Sequence, residues 1–147
     1  MPVQDIIHVA IKTMDLDATN KFYTEVLGME IGPRPPMDIP GSWLNFDGTQ
    51  IHVLAGEKAF ADEKDTRFGT GTVDHIAVQA TSYDEMKESA LRYGCDIREN
   101  DIETAGLWQL FVKDPNGVVV EMNFMKANEP NGSKGPDPAN QYYFARF

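Results

Sequence analysis

Apolar and other residues alternate in Ile6-Ile7-His8-Val9-Ala10-Ile11 and again in Asp74-His75-Ile76-Ala77-Val78, the pattern of strands with one buried face. The two histidines stand 67 positions apart. Each strand runs into a predicted helix start, Asp15 and Ser82, also 67 apart, with Ser82 and Glu85 at capping-box spacing. The helices carry apolar stripes of Phe22, Tyr23, Val26 and Leu27 in the first and Tyr83, Met86, Ala90 and Leu91 in the second. Gly28 and Gly94 fall where a C-terminal cap needs a positive φ.

Three strand candidates follow each helix. In the first half they are 29–34, 42–46 and 49–55, the last two joined by a tight Asp47-Gly48 turn. In the second half they are 95–99, 107–112 and 118–124, the last two joined by Asp114-Pro115-Asn116-Gly117. The predicted organisation is therefore α+β: strand, helix, strand, strand, strand, twice, in modules 5–55 and 73–124 of a domain spanning 1–125. A module of this size buries little surface alone and is expected to pack on its twin or on a second chain. The polar stretch from Gly56 to Thr72 reads as a solvated linker, and Pro33, Pro35, Pro36 and Pro40 as a stiff loop. Residues 126–147, rich in proline and glycine and ending in aromatics, read as an extended tail whose end either docks or frays.

Composition narrows the partners. The 147 residues are 41% hydrophobic and carry 23 acidic against 13 basic side chains, a formal charge of −10. That field repels phosphate backbones and anionic lipid, so nucleic acid is not an expected partner. No apolar run approaches the roughly 20 residues of a membrane span, so no membrane association is expected either. The single cysteine, Cys95, and a start without a basic-then-apolar leader predict a cytoplasmic protein.

All three histidines, His8, His52 and His75, fall in predicted strands. Alternation puts each on the face away from the helices: His8 with Ile6 and Ala10, His52 with Gln50 and Leu54, His75 with Ala77 and Gln79. In the last strand Val119, Glu121 and Asn123 share that face. The repeat relates His8 to His75, and His52 to Glu121 at the 69-residue offset that also relates the turn glycines Gly48 and Gly117. Each module thus offers two donors on one surface, and imidazole nitrogen with carboxylate oxygen suits nickel, cobalt, zinc, manganese or ferrous iron. Taken singly, each is as well read as a half-buried polar residue; four on one face under a repeat point to a metal.

The segments His8-Val9-Ala10-Ile11, Phe22-Tyr23 with Val26-Leu27-Gly28, Gln50-Ile51-His52-Val53-Leu54, Asp74-His75-Ile76-Ala77 and Asp114-Pro115-Asn116-Gly117 leading to Glu121 are similar to the vicinal oxygen chelate superfamily. This group is also called the glyoxalase, bleomycin-resistance and extradiol-dioxygenase superfamily. The resemblance covers residues 5–124 and implies two βαβββ modules whose curved mixed sheet encloses one divalent metal, with ligand positions on His8, His52, His75 and Glu121. It also implies a small-molecule substrate and a homodimer.

With four ligands on an octahedral ion, two open positions suit adjacent oxygens of a substrate, and proton-transfer isomerase or lyase chemistry of the glyoxalase I kind follows, with Glu121 or His52 as the base. With only His8, His75 and Glu121 as ligands, three positions stay open and a ferrous ring-cleaving dioxygenase with His52 as acid or base is the alternative. A third reading is a non-catalytic drug binder of the bleomycin-resistance kind, its pocket lined by Trp43 and Trp108. Gln50 and Asn123 complete the expected substrate pocket. A fosfomycin-type thiol transferase lacks a matching basic cluster, since Arg34 and Arg92 are isolated.

Overall fold

A computed structural model describes residues 8–60, 68–70, 73 and 75–142. The predicted positions Ile6, Ile7, Asp74, Tyr143, Phe144 and Phe147, and the linker charges from Asp62 to Arg67, lie outside the described residues. The chain divides into two compact units, Met1–Gly69 and Thr70–Phe147. No helix among the described residues is long and apolar enough to cross a membrane.

The first unit is a four-stranded sheet built from β1 (His8–Thr13), β2 (Glu30–Gly32), β3 (Gly41–Phe46) and β4 (Thr49–Ala55), in the order β1-β4-β3-β2. β1 runs parallel to β4 and the other pairs are antiparallel. Asp47 and Gly48 both adopt positive φ, 35° and 86°, the geometry that lets a two-residue turn follow the strands' twist. Asp15 caps α1 (Leu16–Lys21), its carboxylate accepting from the Ala18 N–H at 2.9 Å. The helix then widens into a π-helical turn, Phe22–Val26, which sequence periodicity did not foretell. It buries Phe22, Tyr23 and Val26 against Ile11, Leu44, Ile51 and Val53, each large side chain contributing roughly 1.5–3 kcal/mol. The predicted linker is not wholly solvated, because α2 (Glu57–Phe60) buries Ala59 and Phe60.

The second unit repeats the plan with β5 (His75–Gln79), β6 (Ile97–Ile102), β7 (Leu107–Lys113) and β8 (Val119–Met125), ordered β5-β8-β7-β6, again with the first pair parallel. The Asp114 carboxylate accepts from the N–H groups of Asn116 and Val118, both at 2.8 Å, and so closes the turn before β8. Of the helix α3 (Tyr83–Tyr93), Tyr83 and Ala90 are buried but Leu91 is half exposed. Lys87, one turn from Tyr83, turns inward instead, because its ammonium meets the buried Glu99 carboxylate at 2.8 Å. The predicted Ser82 cap also gives way: Ser82 makes no side-chain cap bond, and the Glu129 carboxylate receives the Ser82 and Tyr83 N–H groups at 3.1 and 2.6 Å.

The described part of the tail is docked rather than extended. Asp84 receives the Lys134 and Gly135 N–H groups at 2.7 and 3.1 Å. Glu99 receives the Asn140 amide at 2.9 Å and the Asp137 N–H at 3.3 Å. Gln141 bridges Glu99 in parallel along β6. Gly135 lies flat on Trp108: its φ is +68° and a Cβ there would stand 2.7 Å from the indole. Gly135→Ala is expected to destabilise the protein by roughly 2 kcal/mol in urea unfolding. Gly132→Ala, which has a positive φ but open space around it, should lose only about half as much.

Candidate metal and substrate face

In each unit one face of the sheet is buried under the helix and the other carries the polar side chains. In the first unit His8 pairs across the parallel ladder with Gln50, and Ala10 with His52, so His8 and His52 are diagonal neighbours on the helix-free face, within side-chain reach. Their rings stack at 4.0 Å, 12° from parallel. Trp43, directly opposite His52 on β3, stacks on the other side of the same imidazole at 4.3 Å and 2°. His52 Nε2 meets Gln50 Oε1 at 2.8 Å, and the Gln50 amide N–H in turn donates to Asn45 Oδ1 at 2.6 Å. With the Gln50 carbonyl oxygen as the acceptor, this arrangement suits the tautomer protonated at Nε2, which keeps the Nδ1 lone pair. Desolvation first, then the nearby His8 and Arg34, hold the His52 pKa below its ordinary value, which favours the neutral imidazole a metal requires.

The second unit reproduces this diagonal with different chemistry. His75 pairs with Val119 and Ala77 with Glu121, which sets His75 Nε2 3.0 Å from Glu121 Oε2. The other carboxylate oxygen, Oε1, receives the Gln109 amide at 2.9 Å and the Asn123 amide at 2.7 Å. Gln109 also donates to Asn123 Oδ1 at 3.1 Å and accepts from the Asn100 amide at 3.3 Å. Glu121 is thus a nearly buried carboxylate oriented on one oxygen, with the second turned to a histidine.

Three of the predicted pocket residues, Trp43, Gln50 and Asn123, lie on these faces beside the predicted ligands. Trp108 does not. It belongs to the helix side of β7 with Leu110 and Val112, edge-on to Tyr83 at 5.5 Å and bonded through its indole N–H to Asp101 at 3.2 Å. The counterpart of Trp43 is Phe111, which stands opposite Glu121 as Trp43 stands opposite His52. Phe111 meets His75 edge-on at 6.3 Å, and the tail delivers Tyr142 onto it, the rings stacked at 4.0 Å. Sequence reasoning missed Phe111, although alternation through Leu110 and Val112 marks it as the residue facing Glu121.

The donors are paired within each unit, and among the described residues no group of three or more His, Cys, Asp or Glu side chains is gathered at ligating distance. The donor chemistry nevertheless fits a divalent ion: one imidazole with a free nitrogen, and one carboxylate steered by amides, the usual outer support of metal ligands.

A sequence profile of the Glyoxalase/Bleomycin resistance protein/Dioxygenase superfamily matches residues 5–122. Virulence protein STM3117 of Salmonella typhimurium strain LT2 is 24% identical over 127 residues, 84% of this chain and 85% of that protein. Lactoylglutathione lyase from Agrobacterium tumefaciens superposes with a TM-score of 0.63 at 21% identity, over 86% of this chain and 98% of its own. The genomically encoded fosfomycin resistance protein FosX from Listeria monocytogenes gives 0.66 at 18% identity, over 83% and 93%.

Proposed function

Because the chain belongs to the Glyoxalase/Bleomycin resistance protein/Dioxygenase superfamily, we propose that it is a divalent-metal enzyme of the vicinal oxygen chelate type that moves a proton between adjacent carbons of a small substrate. His8, His52, His75 and Glu121 are the metal-binding residues in this reading. The ion, of nickel, cobalt, zinc, manganese or ferrous type, supplies Lewis acidity toward two neighbouring substrate oxygens.

The observation that carries the reading is the environment of Glu121. Its Oε1 is held by two amides while Oε2 faces His75 at 3.0 Å, so one oxygen is fixed and the other is able to take a proton and give it back. The two amide N–H groups donate to Oε1 and occupy its lone pairs, so proton exchange falls to Oε2. His52, with Nδ1 free, is the second candidate base. In the first unit Trp43 offers an apolar surface and Gln50 a polar one, in the second Phe111 and Asn123 do the same, and the assembly is read as a homodimer.

Elemental mass spectrometry on protein purified without oxygen or chelators tests this. About one nickel, cobalt, zinc or manganese per chain, with turnover of 2-oxoaldehyde adducts or epimerisable acids that persists without oxygen, is the expected result. Oxygen consumption with a catechol would replace it with the dioxygenase reading, and no metal after reconstitution would leave a cleft binder. Gln109→Ala removes one amide from Oε1 and leaves Asn123, so metal affinity is expected to fall roughly 10- to 100-fold, read by competition with a chromogenic chelator.

A further inference from the structure

The histidine face of the first unit carries a cation that the proposed reaction does not use. Arg34 follows β2, and continuing the ladder that pairs Glu30 with Asn45 and Gly32 with Trp43 brings it opposite Gly41, on the side of the sheet that bears Trp43 and His52. Its Nη2 lies against Gly41, 3.2 Å from where a Cβ would stand, so the guanidinium occupies space that a side chain at Gly41 would contest.

The bonding of this guanidinium is incomplete. Nη2 donates to the Ile39 carbonyl at 2.7 Å. Nε is buried without a hydrogen-bond partner, and among the described residues no carboxylate pairs with Arg34, in a chain with 23 acidic side chains. A guanidinium has five N–H donors in a planar fork suited to two oxygens of one anion. A buried donor left empty is costly unless a ligand completes it.

We propose that Arg34 forms an anion subsite beside the His8–His52 pair and takes a carboxylate or phosphoryl group that the substrate carries in addition to its vicinal oxygens. The substrate class is then a small oxo or hydroxy compound with an acidic end, rather than a neutral diol. This rests on the proposed function only in placing the substrate on the histidine face. The net charge of −10 repels anions from the protein as a whole, so a local cation such as Arg34 is what favours an anion on this face.

Trp43 stacks on His52 and reports on this face by fluorescence once the other tryptophan is removed as Trp108→Phe. The full-length protein, as purified and again after chelator treatment, is titrated with acetate, inorganic phosphate and neutral acetamide at constant ionic strength. The expected result is a saturable change in Trp43 emission with acetate or phosphate and none with acetamide. Arg34→Gln should weaken the response by roughly 10- to 150-fold, and Arg34→Lys by less. Tighter acetate indicates a carboxylate substrate, tighter phosphate a phosphoryl one. An equal response in Arg34→Gln, a matching response to acetamide, or no anion response in the millimolar range overturns the proposal. Isothermal calorimetry with both tryptophans present makes the same comparison if Trp108→Phe folds poorly. Metal content is measured separately on Arg34→Gln, so loss of the anion site and loss of the metal are told apart.

Discussion

Glu99→Ala is expected to destabilise the protein by about 3–5 kcal/mol, more than any other substitution considered. The Glu99 side chain is fully buried and works as a hub: the Tyr83 hydroxyl donates to Oε2 at 2.5 Å, the Lys87 ammonium lies 2.8 Å from the same oxygen, and the Asn140 amide and Asp137 N–H come from the tail. Removing the carboxylate strands four donors at once, one of them charged. Lys87 keeps a route to water at 21% exposure, which places the loss toward the lower end of the range. The Tyr83 hydroxyl, its pKa pushed far above the ordinary value by burial and by the hydrogen bond to Glu99, has no such route. Glu99→Gln keeps the shape and one acceptor and should cost less. Urea unfolding followed by circular dichroism gives the values, and a change within about 0.5 kcal/mol for Glu99→Ala would show that the hub carries no stability.

His75→Ala should abolish metal binding while leaving the fold intact. The residue sits on the helix-free face, and Glu121 remains held by Gln109 and Asn123 without it, so little packing is lost. A directly ligating imidazole should cost more than the roughly 100-fold that an outer supporting residue costs. Metal content should therefore fall from about one per chain to near none, with unchanged circular dichroism. A variant that retains its metal would remove His75 from the ligand set and with it the proposed site in the second unit.

The parts of this architecture legible in the sequence are those set by local chemistry. Alternation located β4 to the residue, the Asp15 cap and the Asp47-Gly48 turn are self-contained, and Gly28 and Gly94 have the expected positive φ of 69° and 91°. The repeat also placed the three histidines and Glu121 on helix-free faces. What failed depends on partners far along the chain. The capping-box pattern at Ser82 was outcompeted by Glu129, 47 residues away, and Leu91 lost its inward place to Lys87 because a buried carboxylate waits on β6. Trp108 was matched to Trp43 by its strand rather than by its register, and it stands three positions from Phe111, an odd step, so it faces the other way. A Pro- and Gly-rich tail looks unattached unless Asp84 and Glu99 are known to receive it.

The course of that tail has a consequence for how molecules of this protein meet one another. Between Asn140, bonded to Glu99 on the helix side, and Tyr142, stacked on Phe111 on the other, the chain passes around β6, and Gln141 pairs with the strand's outer edge. A free outer strand offers its N–H and C=O groups to any other extended chain. The tail therefore acts as a guard on that edge. A chain shortened before Asp137 should keep most of its secondary structure, and its defect should show as concentration-dependent self-association through β6, edge to edge.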